Sequence, residues 1–131
     1  MTTPPPLVAV VEDDTATLKA LGRALTARGF DAVCYSSAEA FLESPPTRLP
    51  ACLVVDIKLG GMSGVDLQRR LRALGSTLPI VVLSGVDDPS VRSECYRLGC
   101  VRYLSKETDG DTLREVIGSV VRSQTPKGDD Q

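Results

Sequence analysis

The chain contains no histidine and no tryptophan, and its aromatic residues amount to 4% of 131. Without an imidazole, Ser-His and Cys-His nucleophile pairs are excluded. Any chemistry must therefore rest on carboxylates, lysines and hydroxyls. The four cysteines, Cys34, Cys52, Cys95 and Cys100, form no C-x-x-C pair, so a zinc centre of thiolates and imidazoles is not expected. They are read as small buried hydrophobes. No apolar run approaches the roughly 20 residues that span a bilayer, and Met1-Thr2-Thr3-Pro4-Pro5-Pro6 lacks the basic and apolar regions of a signal peptide. The expected location is the cytoplasm, with no membrane partner. Fifteen basic against seventeen acidic residues give a net charge of −2, which offers nucleic acid no general attraction. Arg69, Arg70, Arg72, Arg92, Arg97 and Arg102 are accordingly read as solvated surface.

What is present is an ordinary globular composition, 42% hydrophobic and 24% charged, at a single-domain length. Short runs rich in Val, Ile and Leu at 7–11, 32–35, 52–55, 79–83 and 101–104 suit buried strands. Between them, helical spacing recurs: Leu18, Leu21 and Leu25; Leu67, Leu71 and Leu74; Val91, Cys95 and Leu98; and Leu113, Val116, Ile117, Val120 and Val121. Asp88-Pro89 reads as a capping carboxylate before a first-turn proline. Ser36-x-x-Glu39 and Thr112-x-x-Glu115 match capping boxes, and Gly29, Gly75 and Gly99 stand where helices end. Five strand-then-helix units in strict alternation predict an α/β domain, a doubly wound five-stranded parallel sheet with helices on both faces. Its expected extent is 7–122, between a flexible 1–6 and a flexible tail or linker start at 123–131.

In open α/β sheets, function collects beyond the carboxyl ends of the strands. The residues there are Glu12, Asp13 and Asp14 after the first strand, Asp56 after the third, Ser84 after the fourth and Lys106 after the fifth. Clustered carboxylates repel one another unless something positive joins them. Mg²⁺ suits such a set because it takes hard oxygen ligands, and a lysine point charge suits a phosphoryl oxygen. Together these groups describe phosphoryl transfer onto an aspartate.

Four segments carry a family resemblance: Val10-Val11-Glu12-Asp13-Asp14, Leu53-Val54-Val55-Asp56 leading to Gly64, Val82-Leu83-Ser84-Gly85, and Tyr103-Leu104-Ser105-Lys106. In order and spacing the chain resembles a response-regulator receiver domain, the CheY-like (flavodoxin-like) phosphoacceptor module of two-component systems. Ser36-Ser37-Ala38-Glu39-Ala40-Phe41-Leu42 further resembles the branch that often carries a helix-turn-helix output domain. The resemblance implies that Asp56 is phosphorylated by a histidine kinase or phosphotransfer protein, with self-catalysed transfer and loss as its only chemistry. It implies Mg²⁺ held by Asp13, Asp56 and the Lys58 backbone carbonyl, with Glu12 acting mainly through a metal-bound water. Ser84 and Tyr103 would be switch residues, Lys106 the partner of a phosphoryl oxygen, and Asp14 a helix cap. The face built by the fourth helix, fifth strand and fifth helix, about 89–122 with Val86 beside it, would engage a downstream protein or a fused output domain. A homodimer formed on phosphorylation is compatible with that face.

Two departures stand out. Leu59-Gly60-Gly61-Met62 occupies a place where Met-Pro is common in the family, and a glycine pair raises the entropy cost of ordering a loop. A mobile loop with weakened metal binding is expected. Glu107 replaces the usual proline after the lysine, so a trans peptide is expected, shifting Lys106 or re-aiming the loop. These departures motivate an alternative, a phosphorylation-independent interaction module. An aspartyl phosphatase would normally want a carboxylate two residues after Asp56, where Lys58 stands.

Overall fold

The computed structural model describes residues 4–123. Strands and helices alternate throughout: β1 (Leu7–Val11), α1 (Thr15–Ala27), β2 (Asp31–Tyr35), α2 (Ala38–Glu43), β3 (Cys52–Asp56), α3 (Gly64–Ala73), β4 (Ile80–Ser84), α4 (Pro89–Arg97), β5 (Arg102–Ser105) and α5 (Gly110–Ser123). All four strand pairings are parallel, in the order β2-β1-β3-β4-β5. This is the doubly wound five-stranded sheet expected from the sequence. The expected loose ends fall mainly on residues 1–3 and 124–131, which lie outside the described residues. Of the rest, the Pro5 carbonyl accepts from Arg48 and the Pro6 carbonyl from the Asp31 N–H.

The period of two along each strand divides the interior. Ala9, Val11, Leu53, Val55, Ile80 and Val82 face a layer holding Phe41 of α2, Leu67 and Leu71 of α3, and Cys95 of α4. Val8, Val10, Cys52, Val54, Val81 and Leu83 face Leu25 of α1 and Leu113, Val116, Ile117 and Val120 of α5. Both faces of β1, β3 and β4 are covered, which is why these strands read as unbroken apolar runs rather than alternating ones. Each fully buried Val, Leu or Ile contributes about 1.5–3 kcal/mol. The edge strands β2 and β5 are covered only in part. One consequence is a correction: Cys34, on edge strand β2, is exposed, whereas Cys52, Cys95 and Cys100 are buried. Burial pushes those three thiols up to about 12, 11 and 12, so they stay protonated.

Helix punctuation agrees with the sequence at several points. Asp14 accepts from the Thr17 N–H, and Asp88 from the N–H groups of Ser90 and Val91 with Pro89 in the first turn. Gly29, Gly75 and Gly99 all take positive φ. Both expected capping boxes are corrected. Ser37 rather than Ser36 caps α2, accepting from Ala40, and Glu39 is spent elsewhere. Asp109 caps α5 by accepting the Thr112 N–H at 2.7 Å, which leaves Thr112 inside the first turn. The box that does form is Ser63 with Asp66 at the start of α3, using Asp where the sequence template asks for Glu or Gln. Arg72 is a clasp rather than solvated surface. Its guanidinium donates to the carbonyls of Leu98, Ser76, Leu78 and Gly99, stitching the end of α3 to the end of α4.

Candidate functional site

Because β1, β3, β4 and β5 are adjacent and parallel, the residues at their carboxyl ends meet on one rim. Glu12 and Asp13 follow β1, Asp56 and Ser84 end β3 and β4, and Lys106 follows β5. Carboxylate oxygens of Glu12, Asp13 and Asp56 lie within 4.8 Å of one another. The Lys106 ammonium stands between two of them, 2.9 Å from Asp56 Oδ2 and 2.8 Å from Glu12 Oε1. Glu12 is 1% exposed and Asp56 5%, whereas Asp13 opens to solvent. The site is thus a dry floor with a wet lip.

Electrostatics follow from that burial. Desolvation raises the Glu12 carboxyl above its ordinary value, against the contrary pull of Lys106 and the Asp14 N–H. Burial opposes the charge on Lys106, yet the bonds to Glu12 and Asp56 raise it above the usual lysine value. Three carboxylates meet one ammonium here, a formal excess of two negative charges. Glu12 Oε1 takes the Lys106 ammonium at 2.8 Å, and its Oε2 accepts the Asp14 N–H at 3.0 Å. Hard oxygen donors within 4.8 Å of one another and a formal excess of negative charge fit a small divalent cation.

The loop between β3 and α3 carries the glycine pair, and it is tied down. Gly60 N–H donates to Asp13 Oδ2 at 3.1 Å, Met62 N–H to Glu39 Oε2 at 2.8 Å, and Lys58 N–H to Asp56 Oδ1 at 3.3 Å. Gly61 has φ of 84°, and a Cβ there would stand 2.7 Å from the Glu39 carboxylate. Gly61 therefore serves a close approach to Glu39. A Cβ on Gly64 would meet the Asp56 carbonyl oxygen at 2.3 Å, so the first residue of α3 packs directly against the end of β3. Glu39 was missed as a site residue because the sequence offered it a role as a helix cap.

The Lys106–Glu107 peptide is trans, and Lys106 nevertheless reaches both carboxylates. The Ser105 hydroxyl accepts the Glu107 N–H at 3.0 Å and its carbonyl accepts the Thr108 N–H, closing a turn without proline. The trans peptide thus leaves the Lys106 ammonium within 2.9 Å of Asp56. Ser84 is at the rim but faces its own loop: its hydroxyl donates to the Val86 carbonyl at 2.5 Å and accepts the Val86 N–H at 3.2 Å. Tyr103 is 7% exposed, with a buried hydroxyl that has no partner. The Arg92 guanidinium lies 5.0 Å from its ring centroid, so Arg92, like Arg72, is not simply solvated.

Fold and rim together define a doubly wound α/β domain that gathers three carboxylates, a lysine and a serine at the strand ends. Residues 8–118 match the family model of the response regulator receiver domain. The chain is 32% identical over 117 residues to the transcriptional regulatory protein FixJ of Bradyrhizobium diazoefficiens, covering 89% of this chain and 57% of that protein. It is 33% identical to the response regulator protein TmoT of Ectopseudomonas mendocina, over 88% and 53%. The chain therefore spans about half the length of these curated relatives. Full-length FixJ from B. japonicum superposes with a TM-score of 0.87 at 31% identity, covering 97% of this chain and 63% of that one. A CheY-like receiver from Methanospirillum hungatei JF-1 gives 0.85 at 22% identity, over 92% and 96%, a likeness of fold.

The chain belongs to the response regulator receiver domain family. It is a signalling domain of the two-component type, and the family's function is that of a phosphoacceptor. No helix among the described residues is long and apolar enough to cross a membrane.

Proposed function

We propose that Asp56 is the phosphoacceptor, and that residues 7–122 form the working receiver. The observation that carries this is the Lys106 ammonium held between Asp56 and the buried Glu12, 2.9 and 2.8 Å away. Asp56 is the acceptor because it sits at the centre of the rim, in reach of both the lysine and the other carboxylates.

A carboxylate oxygen of Asp56 attacks the phosphorus of a phosphohistidine on a sensor kinase or phosphotransfer protein. The new O–P bond forms as the P–N bond breaks, and the imidazole nitrogen leaves with the electron pair and takes a proton from solvent. Glu12, Asp13, Asp56 and the Lys58 backbone carbonyl would hold Mg²⁺, which neutralises charge on the transferring group when bound. Lys106 exchanges its bond to Asp56 for one to a phosphoryl oxygen. Ser84 must leave Val86 to donate to that group, which carries the event into the loop before α4. Water then attacks the phosphoryl group, breaking the Asp56 O–P bond and releasing inorganic phosphate, and no other substrate is turned over. Val86, Tyr96 and Val101 are exposed in the loop before α4, on α4 and just before β5, and the face of α4, β5 and α5 suits a downstream protein, a fused output domain or a second phosphorylated copy. The cytoplasm is the matching compartment.

Intact-mass spectrometry after incubation with acetyl phosphate and Mg²⁺ tests this directly. One phosphoryl adduct is expected on the parent, with none on Asp56→Asn and none without magnesium. An adduct that survives Asp56→Asn would overturn the assignment. No adduct at all, with partner affinity equal in parent and Asp56→Asn, would establish the phosphorylation-independent module instead.

A further inference from the structure

A cavity of about 540 Å³ lies between the end of α1 and α5, walled by Arg28, Phe30, Arg114, Glu115, Gly118 and Arg122. None of these belongs to the carboxylate rim. Three guanidiniums around one space repel one another unless negative charge answers them. Arg28, which caps the end of α1, is answered: its Nη donates to Asp111 Oδ1. Arg114 and Arg122 form no ion pair among the described residues, and neither does Glu115. Three guanidiniums against the carboxylates of Asp111 and Glu115 leave a formal excess of one positive charge, in a chain whose net charge is −2.

Two features of α5 prepare this wall for a ligand. The Arg114 Nε–H is buried and has no acceptor, and a buried donor is unfavourable until something accepts from it. Gly118 stands inside α5, where glycine is a poor helix former. A Cβ there would lie 3.2 Å from an Nη of Arg122. The missing side chain thus lets that guanidinium lie back over the helix.

The forked donors narrow the ligand. A guanidinium presents paired N–H groups that match the oxygens of a carboxylate or a phosphate. One carboxylate has too few oxygens to meet three forks, whereas a phosphate group offers at least three. We propose that this cavity binds a phosphate dianion carried by a small molecule, with Arg114 and Arg122 as its principal donors and Arg28, held by Asp111, as the third. The cavity is larger than a phosphate group alone, and Phe30 supplies an apolar wall for the rest of the molecule. The site stands or falls independently of the phosphoacceptor role of Asp56.

A titration of inorganic phosphate tests it, followed by NMR on the ¹⁵N-labelled full chain with magnesium removed and ionic strength held constant with chloride. Saturable shifts are expected at the Arg114 Nε–H and the Gly118 N–H, with a dissociation constant on the order of 1 mM. Arg114→Gln and Arg122→Gln should each weaken binding about tenfold. Arg70→Gln, which alters an exposed arginine on α3, should leave it unchanged. Gly118→Ala separates a built site from a merely basic surface. Alanine favours the helix, so this variant should melt no lower than the parent, yet bind phosphate about fivefold more weakly because the methyl displaces Arg122.

Shifts that rise without saturating, or that Arg70→Gln reduces as much as Arg122→Gln does, would overturn the site. Parent-like binding by Gly118→Ala would overturn the part given to Arg122. A second arm identifies the source of the phosphate. The protein is expected to stay in solution when vesicles containing phosphatidate are pelleted. Sedimentation that Arg122→Gln abolishes would overturn the small-molecule source and assign the same group to a lipid.

Discussion

The loop after β3 is held by backbone N–H groups donating to carboxylates, Gly60 to Asp13 and Met62 to Glu39. The loop after β4 is held at its start by the Ser84 hydroxyl, bonded to Val86 in both directions. Both flank Asp56, but they answer to different agents. A carboxylate tie weakens when a proton or a cation claims the carboxylate. A hydroxyl tie ignores both and yields only when a stronger acceptor draws the hydroxyl away. In the proposed cycle, metal loading and acid act first on the loop after β3, and the phosphoryl group acts first on the loop after β4.

The largest effect is expected where that comparison touches the backbone. Gly64→Ala places a methyl against the Asp56 carbonyl oxygen, 2.3 Å away with no side chain to yield. A loss of about 3 kcal/mol in urea unfolding is expected, from overpacking against main chain. A parent-like midpoint would show that the start of α3 moves freely. Gly61→Ala should cost about 1–2 kcal/mol from its positive φ, and should also release Glu39 from Met62. Hydrogen exchange at Met62 checks the second part, and unchanged protection would count against it.

Ser84→Ala tests the other loop. It removes both Val86 contacts, for an expected loss of about 1 kcal/mol that stays constant between pH 4 and pH 7. A loss that varied strongly over that range would erase the distinction between the loops. The smallest effect is expected for Glu39→Gln. The Met62 N–H holds the Glu39 carboxyl below its ordinary value of 4.5. The sign follows from linkage: this stabilisation is present above the unfolded value and is lost as pH falls through the lower folded value. Parent should therefore melt slightly above Glu39→Gln at neutral pH, with the gap closing as pH falls below the ordinary value of 4.5. A gap that widened on acidification would reverse the sign and refute the tie.

The rim was legible because each of its residues sits directly at a strand end, where hydrophobic pattern alone fixes the position. Glu12, Asp56 and Lys106 needed only the five apolar runs and the rule that parallel strands present their carboxyl ends together. Glu39 and Arg92 were not legible. Their side chains cross to other elements, to Met62 and to Tyr103, and spacing along a helix says nothing about what lies across a gap. Cys34 was misjudged for a related reason. Its strand turned out to be an edge, and strand order is a property of the assembled sheet.

The sequence by itself determined the alternation of strands and helices, the helix ends at Gly29, Gly75 and Gly99, and the meeting of three carboxylates with a lysine. Those features depend on local conformational preference and on burial, which are written residue by residue. Only the tertiary structure decided that a trans peptide before Glu107 still delivers Lys106, that Gly61 makes room for Glu39, and that Ser84 faces Val86. Each of these turns on a few ångströms between atoms distant in sequence. Directional contacts of that kind are set by packing, after the pattern of apolar residues has chosen the fold.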